Sequence, residues 1–140
     1  MMHPVIRNIL GVVAGILLGG AVNMGIILLG PSLIPPPEGA DMTTMEGLKA
    51  AMPLLESKHF IMPWLAHGLG TLVGAFVAAL IAGSFKMRMA LVVGFFFFLG
   101  GLANVVMLPS PMWFNVVDLA LAYIPMAWIG GQMAIKMQST

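Results

Sequence analysis

The sequence predicts an all-α protein of one domain, a polytopic membrane four-helix bundle with a short amphipathic helix in the loop between the first two spans. Composition is the first reason. The 140 residues are 60% hydrophobic and 8% charged, with a mean hydropathy of +1.03, whereas a water-soluble domain carries about 25% charged residues. The second is length: crossing the hydrocarbon core takes ~20 mostly apolar residues, and four such runs occur, at roughly 9–29, 60–84, 89–108 and 111–133. The third is punctuation, because glycine, proline or charge closes each run.

The first span follows Arg7 and stops at Gly30-Pro31. Its basic start resembles a signal peptide, but the run exceeds the ~7–15 residues of a signal core and reads as a retained helix. The loop 31–59 opens on Pro35-Pro36-Pro37, which is extended and stiff, and turns at Glu38-Gly39. Thr43-Thr44-Met45-Glu46 fits a capping box, with Thr43 as the cap and Glu46 three residues on. Met45, Leu48, Met52 and Leu55 recur at helical spacing, so a short helix lies on the membrane surface, either as a plain connector or as a lid. The second span carries Pro63 in its first turn, where proline is tolerated. The third stops at Pro109-Ser110-Pro111, and the fourth should kink at Pro125, which removes a backbone hydrogen bond.

Charge sets the direction. Arg7, Lys86, Arg88 and Lys136 share the side of both termini, and no acidic residue lies there. The loop 31–59 holds Glu38, Asp41, Glu46 and Glu56 against Lys49 and Lys58. The positive-inside rule then places both termini in the cytoplasm and the long loop outside, as expected for a cell membrane protein of the bacterial inner membrane type. The absence of cysteine removes disulfides and thiol chemistry. There is no basic patch for nucleic acid, no phosphate-binding glycine loop and no nucleophile–base pair, so no enzyme activity, catalytic residue or cofactor is expected.

Lipid tails give helices no hydrophobic reason to associate, so close packing of small residues matters more. Gly11, Gly15 and Gly19 lie four apart in the first span, with Asn23 continuing the row, and Ala66, Gly70, Gly74, Ala78 and Ala82 do the same in the second. These rows serve helix packing within the chain or contact with a partner subunit. The run Leu18-Gly19-Gly20-Ala21-Val22-Asn23 aligns with Leu99-Gly100-Gly101-Leu102-Ala103-Asn104, which raises a duplicated two-helix unit as a further reading.

Counting at ~1.5 Å per residue places Asn23 and Asp118 about 10 Å deep from the outer ends, and His67 and Asn104 somewhat shallower, so each span contributes a polar side chain to one layer. Thr71 and Asn115 lie near it. Asp118 stands out, because an ionised aspartate deep in a span costs ~2.5–3.5 kcal/mol and must face a partner or water. Either it serves a ligand or a proton, or it ties the fourth span structurally to His67, Asn23 or Asn104. The 14 methionines suit soft metals, but their scatter without repeated spacing favours gap-filling, and no metal site is expected. Phe95-Phe96-Phe97-Phe98 covers every side of its helix and must partly face lipid, while Trp64, Trp113 and Trp128 read as interfacial anchors.

The stretches Val22-Asn23-Met24-Gly25, His59-Phe60-Ile61-Met62-Pro63 and Pro111-Met112-Trp113-Phe114-Asn115 resemble small four-span bacterial integral membrane proteins with no assigned function. The resemblance covers most of the chain and implies a fold without an activity. Small drug-exporting four-span transporters are similar in size but carry their essential acid in the first span. Two functions follow from the residues. The first is a non-enzymatic bundle that assembles with itself or within a larger membrane complex. The alternative is a small transporter or channel in which Asp118 and the polar layer touch a solute or a proton.

Overall fold

Proline and a histidine cap begin the first helix earlier than its apolar run does. In the computed structural model, which describes all residues from Met1 to Thr140, α1 spans Pro4–Leu33. His3 Nδ1 accepts the Val5 N–H at 3.3 Å, and Pro4 at the first helical position sacrifices no bond. The helix also runs through Pro31 rather than stopping at Gly30-Pro31. Pro31 forfeits only its own donor, and the Ile34 N–H closes onto the Gly30 carbonyl at 2.8 Å.

In the loop, α2 (Met45–Ala51) is capped one residue later than the capping-box motif suggests. Thr44 Oγ1, not Thr43, accepts the Gly47 N–H at 3.0 Å. Asp41 draws Thr43 away, taking its N–H at 2.8 Å and its hydroxyl at 2.6 Å on Oδ1. The helix ends before Leu55 because Pro53 cannot continue it; the chain passes into 3-10 turns at Met52–Leu54 and Ser57–Phe60. Then come α3 (Ile61–Ile81) and α4 (Lys86–Met107). The last apolar stretch is not one kinked helix but two, α5 (Met112–Leu121) and α6 (Ile124–Ser139). Pro125 cannot donate to the preceding turn, and Tyr123 departs from helical geometry at φ −115°, ψ −79°. The segments 4–33, 57–81, 86–107 and 112–139 are each long and apolar enough to cross a membrane.

Helix α3 is the centre, with α1 on one side and α4 and α6 on the other. Its junction with α1 is built from the two small-residue rows. A Cβ placed on Gly15 would stand 2.4 Å from the Gly74 carbonyl oxygen, one on Gly19 would stand 2.5 Å from that of Gly70, and one on Gly11 2.8 Å from that of Ala78. The pairing runs antiparallel and lies within the chain. The far side of α3 packs through Ala75 and Ala79 onto Ala90 of α4 and Ala127 and Ala134 of α6. There Gly130 gives α6 its approach, since a Cβ would meet the Leu72 carbonyl at 2.4 Å. The two halves of the aligned glycine motif do different work. Gly19 faces α3, whereas its counterpart Gly100 faces open space and Gly101 lies under the Tyr123 ring.

Both termini meet the α3–α4 connection at one end of the bundle. Arg7 Nε donates to the Ile81 carbonyl at 3.0 Å and Gln138 Nε2 to that of Leu80 at 2.8 Å, satisfying carbonyls that the end of α3 leaves free. Asn8 Oδ1 accepts the N–H groups of Gly83 and Ser84 at 3.0 and 3.1 Å, and Lys86 Nζ binds Gln138 Oε1. Phe95 and Phe96 are exposed on the flank, as are Trp113 and Trp128. Trp64 departs from its expected anchor role: it packs against the cluster of Met52, Phe60 and Phe114, with its indole N–H sealed from solvent.

The glycine contacts predict a divergence between two glycine substitutions. Gly74→Leu should force α1 off α3 and lower stability by ~1–3 kcal/mol through overpacking. Gly25→Ala, where an added Cβ meets nothing within 4 Å, should raise stability by roughly 0.5–1 kcal/mol through helix propensity. Melting temperatures in detergent check both; equal shifts would contradict the contact.

Candidate functional site

Helical spacing on α3 places His67 one turn before Thr71 on the face that meets the last apolar stretch. Asp118 comes to it from α5, 3% exposed. His67 Nδ1 and Asp118 Oδ1 are 2.8 Å apart. Tyr123 donates its hydroxyl hydrogen to the other carboxylate oxygen, Oδ2, at 2.9 Å, and its ring stacks on the imidazole at a centroid distance of 5.8 Å. Both oxygens of the aspartate therefore have a partner, which is what a carboxylate removed from water needs. With Nδ1–H donating to Asp118, His67 presents Nε2 as its remaining polar atom, and the side chain keeps 15% of its surface accessible.

The other polar residues divide. Asn23, His67, Asn104, Asn115 and Asp118 all line one cavity of about 340 Å³. Thr71 lines a second cavity of about 240 Å³, which shares Asn23, His67 and Asn104 with the first. The layer that depth counting predicts is thus a shared lining. It is not a single hydrogen-bonded network. Thr71 spends its hydroxyl hydrogen on the His67 carbonyl at 2.7 Å, a bond to its own helix. Asn115 Oδ1 accepts from Ser110 Oγ at 2.9 Å, holding the turn into α5. Asn23 and Asn104 do not reach Asp118, whose partners are His67 and Tyr123.

Tyr123 is the residue that sequence reasoning misses. On a straight helix, residues five apart point about 140° away from each other, so Tyr123 does not belong to the face of Asp118. The break at 122–123 turns it back. The available signal was the lone tyrosine of the chain lying two residues before a mid-span proline. The same break sends Pro125 outward to an exposed position, away from the face it would share with Asn115 and Asp118. The methionines also gather: Met42, Met45 and Met52 of the loop and Met62 of α3 line the larger cavity together.

The loop roofs that cavity. Met45, Leu48, Met52 and Leu55, the apolar face of the amphipathic segment, all line it, which is the lid arrangement. His59 ties the roof down: its Nδ1 accepts the Glu56 N–H at 2.8 Å, so the proton resides on Nε2 and is donated to the Pro35 carbonyl at 3.1 Å. Asp41 holds the start of α2. The hydroxyl and N–H of Thr43 and the hydroxyl of Thr44 keep its carboxyl below the usual 3.8. Gly47 leaves room for it, because a Cβ there would fall 2.6 Å from Asp41 Oδ2.

Two outcomes are expected. Tyr123→Phe removes one partner of a buried carboxylate and should cost ~1–3 kcal/mol, read as a fall in melting temperature that Tyr123→Trp does not rescue. The Asp41 value is depressed in the folded chain, so its contribution is present above 3.8 and is lost as pH falls through the lower folded value. The hydrogen-exchange protection factor of the Gly47 amide should therefore drop as pH falls below 3.8, and Asp41→Asn should abolish that pH dependence.

Compared with protein-family models, with curated proteins and with solved structures, the chain matches none.

Proposed function

We propose that the chain is a four-span integral membrane protein with both termini cytoplasmic, and that it binds a small, mostly apolar solute in the cavity beneath α2, as a transporter or a solute-binding component of one. The observation that carries this reading is the buried Asp118–His67 pair at the polar floor of a roofed cavity of about 340 Å³. Ligand pockets start near 300 Å³ and combine apolar walls with a few convergent polar groups. Here methionine, leucine and phenylalanine make the walls, and the polar lining is the His67 imidazole, the Asp118 carboxyl group and the amides of Asn23, Asn104 and Asn115. An intramembrane ionisable residue at a cavity is a functional site by default.

The assembly reading has weaker support. The glycine rows, whose other reading was contact with a partner subunit, are spent on the α1–α3 contact within the chain. The orientation rests on charge: Arg7, Lys86 and Lys136 collect at the end where both termini lie, and the acidic loop lies at the other.

Thermal unfolding in detergent against a panel of amphipathic alcohols, amines and weak acids tests the reading. A compound present at 100 times its dissociation constant should stabilise the wild type by ~2.7 kcal/mol, while Asp118→Asn and His67→Gln keep the fold and lose the shift. Equal shifts in all three proteins, or none from any compound, would overturn it. For the orientation, Ser32→Cys in intact cells should react with an impermeant thiol reagent and Ser139→Cys should not; the reverse pattern would invert the topology.

A further inference from the structure

Above Phe97, α1 and α4 leave a gap. The Phe97 ring closes it on the side of the termini, its Cε2 lying 3.0 Å from a Cβ built on Gly19 and 3.2 Å from one built on Gly74. Toward the loop end, the cavity of about 240 Å³ lies between Asn23 of α1 and Gly100 and Asn104 of α4, with His67 behind them. Gly20 stands one turn before Asn23 on the same face, and Gly100 one turn before Asn104. A Cβ on either glycine meets nothing within 4 Å. Asn104 is exposed and Asn23 half-exposed, and neither amide takes part in the hydrogen bonding of the site, which runs from His67 to Asp118 to Tyr123. In the proposed orientation this opening faces the hydrocarbon of the outer leaflet, where unpaired amides are costly.

Resting on the binding reading above, we infer that the gap between α1 and α4 is a lateral entrance, and that the solute is a single-chain amphipath with an uncharged hydrogen-bonding head, drawn from the outer leaflet. The head chemistry follows from what the site leaves unpaired. Asp118 has both oxygens occupied, His67 offers Nε2 as an acceptor, and Asn23 and Asn104 each offer a donor and an acceptor. An alcohol or amide head satisfies all three. A carboxylate head would meet the Asp118 carboxyl group with no lysine or arginine beside it, since neither cavity is lined by one. The tail leaves between Gly20 and Gly100, where the absence of side chains makes room for a single acyl or alkyl chain.

The test uses hexadecanol carrying a diazirine, photo-crosslinked to the full chain in phosphatidylcholine liposomes and mapped by peptide mass. Adducts should concentrate on 20–27 and 97–105 and should be competed by excess hexadecanol. Diazirine-bearing palmitate should label those segments less. Gly100→Phe and Gly20→Phe, one from each wall, should each cut the competed labelling at least about tenfold with melting temperatures kept. Labelling that no excess competes, spread over exposed positions such as Leu17 and Val106, would overturn the proposal. If competed labelling survives both phenylalanine variants but is lost in Asp118→Asn, the cavity binds and the lateral entrance is wrong. If it survives all three, the binding reading falls with it.

Discussion

Between α1 and α3 there is no room for a methyl group on Gly15, Gly19, Gly70 or Gly74. A Cβ on Gly74 would stand 2.6 Å from the Gly15 carbonyl oxygen, and one on Gly70 2.8 Å from that of Gly19. The two backbones touch over the length of both small-residue rows, and dispersion at that distance replaces the hydrophobic drive that lipid surroundings would not supply. Everything else is placed by this contact. It sets Asn23 over Gly70 at the loop end and brings Arg7 and Asn8 to the end of α3 at the other. With that side of α3 taken by α1, its opposite side receives α4 and α6, and α4 reaches α1 through Phe97.

The site depends on a second backbone constraint, the break at 122–123. A continuous helix would leave Asp118 bonded to His67 alone, with its second oxygen bare. By interrupting the helix, Pro125 lets Tyr123 swing under Gly101, where a Cβ would lie 2.6 Å from the tyrosine hydroxyl, and deliver that hydroxyl to Asp118 Oδ2. The break is buried at Ala122 and Tyr123, and Tyr123 lines a cavity, the two conditions under which a membrane would tolerate irregular backbone. Discontinuous helices of this kind recur at the solute sites of transporters, an architectural parallel only.

The loop helix is too short to be stable alone. It exists because Asp41 gathers Thr43 and Thr44, Thr44 caps Gly47, and the apolar face settles on Phe60 and Phe114. Local hydrogen bonds start it and burial completes it.

The four apolar segments, the small-residue faces and the amphipathic loop segment were legible in the sequence, because each is periodic and local. So was the pairing of Asp118 with His67, because a charged group in an apolar stretch has few partners at its depth. Boundaries were less so: α1 passed through Pro31, and the α2 cap moved from Thr43 to Thr44, since capping depends on which hydroxyl a neighbouring carboxylate claims. Tyr123 left only one signal, a lone tyrosine two residues before a mid-span proline, while the meeting of Met42 and Met62 with the loop face and the gap between α1 and α4 could not be read at all. They arise from one helix break and from which faces meet in space, and neither leaves a period in the chain. The sequence by itself determined the elements and the polar groups that had to be paired. Only the tertiary structure decided which pairs formed and which amides were left facing a cavity, because those outcomes are set by distances between segments that the chain order does not encode.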